Sequence, residues 1–380
     1  MDLMCQLTQK EKVLLRIIVD TITSCNMIET IDIEINKSPV SRLSSVDFNN
    51  LSFGHVFSDH MFVADYTDDE WKNFQIIPYG GLLFSPAMSA LHYGQAIFEG
   101  IKAYRQKEDR IAIFRPMKNL ERLNISAERM CMPAVPQEVF MQGLTQLIDL
   151  DRKWAPSAVG QSLYIRPVMF ATDTILGVNA SKNYKFVILT GPVAAYYSKN
   201  LKVKVELHYS RADEGGVGYA KTAGNYARAL YPTKLAEQEG FDQLIWTDSR
   251  EHAYIEEAGT ANVMFVINDV LITPSTRDTI LDGVSRHTIL DLARAWGMQV
   301  EERRVSVDEV IQAIKKGTLQ EAFAAGTAAT IAPISVIGHK YDLYTLPDPQ
   351  ARVFSNKALK ALSDIRYGLA PDQFGWNYLI

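Results

Sequence analysis

The chain of 380 residues is 47% hydrophobic and 22% charged, the balance of a globular protein, and its length predicts two domains of roughly 150 to 200 residues each. A net charge of −5, with acids and bases interspersed, leaves no basic footprint and argues against nucleic acid as a partner. The three cysteines, Cys5, Cys25 and Cys131, form no C-x-x-C pair, so neither a disulfide framework nor a zinc ribbon is expected and a reducing, cytoplasmic setting fits.

In chain order, the apolar run "VLLRIIV" carries Arg16 at its centre and falls far short of the roughly 18 residues of a membrane span. Residues 1–40 read as a short amphipathic or disordered extension, because "ETIDIEINKSPVSRLSSVDF" is polar and turn-rich. A small α+β domain is expected over 41–195. It opens with strand-like "HMFVADY", helix-like "SALHYGQAIFEG" and strand-like "IKAYRQ". "RIAIFRP" is a strand ending at Pro116, and "MKNLERLNISAERMCMP" and "QEVFMQGLTQLIDLDRKW" have helical spacing. "SLYIRPVMFATD" and "YKFVILTGPVAAYY" are rich in β-branched and aromatic residues, as strands are. A linker is expected over 196–208, near "YYSKNLKV", and a large domain over 209–380. The second half alternates the strands "VKVELHYS", "FDQLIWTD", "NVMFVIND" and "VLITP" with the helices "AKTAGNYARALYPTKLAEQEG", "SRHTILDLARAWG" and "SVDEVIQAIKKG". Two α+β domains with a cleft between them is the architecture this order predicts.

One stretch raises a chemical question. "GGVGYAKTAGNYARAL" surrounds Lys221 with glycine and alanine and follows it with Tyr226. Small residues here allow three readings: a phosphate-cradling loop, a planar cofactor held covalently by the lysine, or a plain glycine turn beside a solvated lysine. The first compares with G-x-x-x-x-G-K-[ST] and misses only its last glycine, where Ala220 stands; the preceding "SRADEGG" is also too polar to end a buried strand. The second needs an acid for a pyridine nitrogen, a donor for a phenolic oxygen and a phosphate cup. Candidates are Glu256 and Glu257 in "YIEEAGTANVMF", Tyr226, the helix start at Gly283, Val284 and Ser285 in "LDGVSRHTIL", and Thr327 in "AFAAGTAATIAPI". Taken separately, each also has a plain reading as a turn, a cap or a solvated pair.

In order, "LHYGQAIFEGIKAY", "FRPMKNLERL", "LYIRPVMF", "GYAKTAGNYA", "EEAGTANVMF", "ILDGVSRHTIL" and "AAGTAA" resemble the branched-chain amino-acid aminotransferases. These have the D-amino-acid-aminotransferase-like fold, fold type IV of the pyridoxal 5'-phosphate enzymes, with two α/β domains and the cofactor in the interdomain cleft. The resemblance spans about Phe53 to Gly368. It implies that Lys221 holds the cofactor covalently and moves the proton between the substrate Cα and the cofactor, that Glu257 rather than Glu256 faces the pyridine nitrogen, and that Tyr226 bonds the phenolic oxygen. Arg122, Val284, Ser285 and Thr327 are the implied phosphate ligands. Phe53, Phe98, Tyr164, Tyr196 and Thr260 are the implied apolar walls, joined by Leu176 and Val178 from the partner subunit of a homodimer. Arg166, Tyr93 and the backbone of Thr327 and Ala328 are the implied carboxylate partners. The small residues around Lys221 then read as clearance for the cofactor ring.

The implied activity is transfer of the amino group between L-leucine, L-isoleucine or L-valine and 2-oxoglutarate, giving 2-oxo acids and L-glutamate. Within the fold, a D-amino-acid aminotransferase or an aminodeoxychorismate lyase would use the same lysine and glutamate; "LYIRP" and "LHYGQAIFEG" speak for the branched-chain enzyme. Animal members carry a C-x-x-C where Ala329 and Ala332 stand here, which excludes a thiol–disulfide switch at that place.

Overall fold

A computed structural model of the protein describes residues 30–194, 200–328 and 330–380. Tyr196, Ala329, residues 1–29 of the expected extension and residues 196–199 of the expected linker lie outside these. Two sheets organise the rest; helices cover one face of the first and both faces of the second.

The first sheet is built from β1 (Glu34–Ile35), β2 (His60–Thr67), β3 (Glu70–Pro78), β4 (Ala96–Phe98), β5 (Ile101–Arg105), β6 (Ile111–Phe114), β7 (Ser162–Ala171) and β8 (Tyr184–Val193). Its order is β1-β3-β2-β8-β7-β5-β6, with β4 beside β7. The β2–β3 hairpin turns at Asp68 and Asp69, both at positive φ, the backbone that a two-residue turn demands and that aspartate tolerates. Helices α1 (Ser89–Tyr93), α2 (Pro116–Arg129) and α3 (Gln137–Leu150) accompany this sheet. The apolar faces of α2 and α3 meet Phe62, Phe186 and Ile188 in one core. Gly143 is required there, since a Cβ would lie 2.8 Å from the Phe62 ring.

The second sheet runs β14-β13-β12-β16-β17-β9-β10-β11-β15, with β18 beside β17. Its strands are β9 (Leu201–Val205), β10 (Gln243–Thr247), β11 (Tyr254–Ala258), β12 (Ala261–Ile267), β13 (Val270–Thr273), β14 (Val300–Glu302), β15 (Val305–Ser306), β16 (Leu319–Gly326), β17 (Thr330–His339) and β18 (Asp342–Thr345). The helices of this half are α4 (Ala223–Gln238), α5 (Val284–Ala295), α6 (Val307–Lys315) and α7 (Phe354–Arg366). Ile289, Leu290, Ala358 and Leu362 of α5 and α7 share a core with Met264 and Phe323 of the sheet. Burying each large apolar side chain of this kind contributes about 1.5–3 kcal/mol. The chain then returns: β19 (Asn377–Leu379) pairs antiparallel with β6 of the first sheet.

Several elements differ from the sequence-based expectation for physical reasons. "SALHYGQAIFEG" is not one helix, because Gly94 takes φ 68° and ends α1, and "AIF" continues as β4. Pro116 opens α2 rather than merely closing the strand before it, as proline's fixed φ allows at a first helical position. By contrast, the helix read through Pro232 is present, with that proline inside α4. Residues 201–205, within the expected linker, are a strand of the second sheet, and residues 34–35, within the expected extension, pair with β3. The "GTA" turn is the bend between two long strands, β16 and β17.

Candidate active site

Lys221 stands one residue before the N-cap of α4. Its backbone is fixed on both sides: its N–H donates to Ser126 Oγ at 2.9 Å, and its carbonyl accepts from Phe98 N–H at 3.0 Å. The Thr222 hydroxyl donates to the Ala96 carbonyl at 2.8 Å, which ties this point of the second half to β4 of the first sheet. The Lys221 amine donates to Tyr226 Oη at 2.8 Å, a contact that one turn of helix supplies. It also lies 5.0 Å from the Phe98 ring centre.

Gly218, before Lys221, has another duty than ring clearance. A Cβ on Gly218 would come within 2.7 Å of the Asp278 carbonyl and Thr279 Cα, so the missing side chain lets two loops pass each other. Asn225 holds the loop by donating to the Val217 and Ala220 carbonyls. From this stretch only Lys221, Ala223 and Tyr226 line the cavity.

That cavity has a volume of about 460 Å³, within the usual range for a small-molecule site. Glu257 enters it from β11. The tight β11–β12 turn, with Gly259 at φ 57°, sets Glu257 directly opposite Asn262 and puts Thr260 at the rim. Glu257 is 3% exposed, and its Oε1 accepts from Leu281 N–H at 2.7 Å and Arg211 Nη2 at 3.1 Å. Burial pushes its carboxyl above the usual range, against the pull of Arg211 and the Leu281 N–H. Strand alternation turns Glu256 to the other face, where its Oε1 accepts from the Thr279 hydroxyl at 2.6 Å. Burial holds the Glu256 carboxyl up at about 7.

Arg122 of α2, which also lines the cavity, is 7% exposed and is gripped by a residue that sequence reasoning did not single out. Glu99, fully buried, accepts from both Nε and Nη2 at 2.8 Å, and the Asp282 carbonyl accepts from Nη1 at 3.0 Å. Its only sequence signal was an acid placed between apolar β4 and Gly100. Replacing Glu99 with alanine leaves Arg122 buried without its counter-charge, and the cofactor-free protein should lose about 3–5 kcal/mol in urea unfolding. A loss below about 1 kcal/mol would show that Arg122 is solvated instead.

Beside Arg122, α5 begins at Gly283 with no side-chain cap, so its first N–H groups need another acceptor. Gly283, Val284 and Ser285 line the cavity there. A Cβ on Gly283 would lie 1.9 Å from Asn262 Oδ1, which requires glycine. A cation, an uncapped 12-residue helix and Thr327 make a fitting cup for a phosphate. Glu257, whose bonds to Leu281 and Arg211 both go to Oε1, has Oε2 to offer a pyridine N–H. Lys221 and Tyr226 line the same cavity. The residues present therefore fit pyridoxal 5'-phosphate.

The wall side is also assembled. Tyr164 and Arg166 alternate with buried neighbours along β7 and so share a face; Arg166 Nη2 donates to Tyr164 Oη at 2.7 Å, and its guanidinium lies 4.7 Å from the Phe98 ring centre. Phe53 packs edge-on to Tyr164, with ring centres 4.8 Å apart. Phe53, Phe98, Tyr164, Arg166, Thr260, Thr327 and Ala328 all line the one cavity. Tyr93, expected with Arg166, does not: it is 41% exposed and donates to the Leu176 carbonyl. Leu176 and Val178 are exposed beside it, at 65% and 80%. Sequence reasoning also passed over Gly100, where a Cβ would meet Tyr164 Oη at 2.6 Å, and Arg211.

Residues 96–337 match the family described as amino-transferase class IV. The "Branched-chain-amino-acid aminotransferase 2" of Bacillus subtilis (strain 168) is 44% identical over 353 residues, 92% of this chain and 96% of the relative. Among solved structures, the branched-chain aminotransferase of Thermoproteus uzoniensis with norvaline superposes with a TM-score of 0.70 at 23% identity, covering 84% of this chain and 99% of that one. The branched-chain amino acid aminotransferase of Escherichia coli gives 0.67 at 25% identity, over 84% and 98%. A further branched-chain amino acid aminotransferase, complexed with N-(5'-phosphopyridoxyl)-L-glutamate, gives 0.67 at 22% identity, over 83% and 97%.

Proposed function

Since the chain belongs to the class IV aminotransferases, and within them to the branched-chain-amino-acid aminotransferases, we propose that its cavity transfers the amino group of L-leucine, L-isoleucine or L-valine to 2-oxoglutarate. The observation that carries this reading is the convergence of Lys221, Tyr226, Glu257 and Arg122 on one cavity, with an aromatic wall and Arg166 at its edge. Bound pyridoxal 5'-phosphate supplies a carbonyl that takes up the amino group and a ring that withdraws electrons from the substrate Cα.

The chain's own residues do the rest. Arg122 and the start of α5 hold the phosphate; Glu257 keeps a proton on the ring nitrogen; Tyr226 steadies the phenolic oxygen. Lys221 Nζ would hold the cofactor and, as the amine nearest it, would serve as the base that moves the proton of the substrate Cα. Phe53, Phe98 and Tyr164 exclude water around an aliphatic side chain, and Arg166 at their edge answers the distal carboxylate of glutamate. The same pocket thereby serves both half-reactions.

Tyr93, Leu176 and Val178 form an exposed group outside their own cavity, which favours a homodimer in which this group completes the partner's site. Among the described residues no helix is long and apolar enough to cross a membrane, and we place the enzyme in the cytoplasm.

Incubation with 2-oxoglutarate and, in turn, L-Leu, L-Ile, L-Val, L-Phe and D-Ala tests the assignment by the glutamate formed. The three branched substrates are expected to be at least about tenfold faster than D-Ala. Glutamate from D-Ala alone overturns the reading.

A further inference from the structure

Behind the cavity lie two buried cations that the function above does not use. Lys102 on β5 is 8% exposed, and its amine donates to the Ala328 carbonyl at 2.8 Å. Arg366, the last residue of α7, is 6% exposed; its Nη1 donates to Thr330 Oγ1 at 2.9 Å, and its guanidinium lies 4.3 Å from the Phe114 ring centre. Among the described residues neither is in an ion pair, and Arg366 Nε has no hydrogen-bond partner. Both line a small void that shares Gly100, Val284, Ser285 and Thr327 with the main cavity. Burial, with the charge of Arg366 beside it, brings the Lys102 amine down to about 7.

Two adjacent buried positive charges without an acid are costly, and such groups persist where an anion completes them. The turn that they grip is itself constrained. Thr330 stands at φ 62°, a backbone that a β-branched residue adopts only when its surroundings force it. Arg366 holds that residue from one side and Lys102 holds Ala328 from the other. A carbonyl drawn toward Lys102 is also kept from facing a bound carboxylate, which it would repel.

We propose that Lys102 and Arg366 are positioning residues that fix the Thr327–Ala328 turn and give the cavity its demand for a carboxylate on the substrate. The inference rests on the aminotransferase reading and adds to it the source of carboxylate selection. An amino acid and its 2-oxo acid share that carboxylate, so both half-reactions depend on the pair. The aromatic wall then discriminates only the remainder of the molecule.

The test is the affinity of the holoenzyme for 4-methylpentanoate and for the uncharged 4-methylpentanamide, measured by calorimetry in wild type and Lys102→Met. Methionine retains the apolar length and removes a desolvated charge, so the fold is expected to persist, with the melting temperature as the check. The variant should bind the carboxylate about 10- to 100-fold more weakly, as the turn that receives it loses its fixed orientation, with binding of the amide unchanged. Equal weakening of both ligands, or of neither, overturns the proposal. Should Lys102→Met not fold, Arg366→Met carries the same expectation and the same refutation. A wild type that makes no glutamate from branched-chain amino acids sinks the aminotransferase reading, whereas an active wild type with an unaltered carboxylate-to-amide ratio in the variants sinks only this one.

Discussion

Lys221→Ala should give a folded but colourless protein whose transamination rate is lower by about 10³-fold or more. The fold is expected to survive because the bonds that hold this position, to Ser126 and Phe98, are made by the Lys221 backbone. What disappears is the amine, 2.8 Å from Tyr226, that we propose as covalent anchor and base. Visible absorbance of the purified variant and its glutamate production report the two losses separately. A variant that stays yellow and keeps a tenth of its activity would place the covalent attachment elsewhere.

The second large effect is expected at Glu257. Glu257→Gln keeps an oxygen for the Leu281 N–H and for Arg211 but removes the negative charge that holds a proton on the ring nitrogen, so the cofactor should remain bound and coloured while turnover drops by about 10²- to 10⁴-fold. Glu257→Ala adds a structural defect, because Arg211 is then buried without its carboxylate. Glu256→Ala is the internal comparison. Its side chain lies on the other face of β11, against Thr279, and its loss should cost activity far less. If the Glu256 variant is the more damaged, the assignment is displaced by one residue along the strand.

The site was legible in the sequence to the extent that its chemistry sits on single motifs. Lys221, Tyr226, Arg122, Glu257, Val284 and Ser285 come from four separate stretches; three of these carried a local signal of their own, Arg122 was named only through the resemblance, and all six residues line one cavity. Partners defined only by the third dimension were not legible. Glu99 is 23 residues from Arg122, Arg211 is 46 from Glu257, and Lys102 is 226 from Ala328; nothing in their own neighbourhoods announces those meetings. Strand–helix alternation located most of the elements. It failed at "SALHYGQAIFEG", where one left-handed glycine outweighs helical spacing, and it gave no sign that β19 would cross back to the first sheet. Gly218 shows a subtler miss: the smallness of this stretch was read as room for a ligand, and at Gly218 it is room for the protein's own loop at Asp278.

That return of β19 bears on how the enzyme can move. Ile380 and Ile111 exchange backbone hydrogen bonds at 2.9 and 3.0 Å, so the polypeptide crosses between the sheets once after β8 and again before β19. A body strapped at two points does not swing open about a single pivot. Relative motion of the two sheets is therefore confined to an axis through both crossings, and the β19–β6 pairing restrains it further.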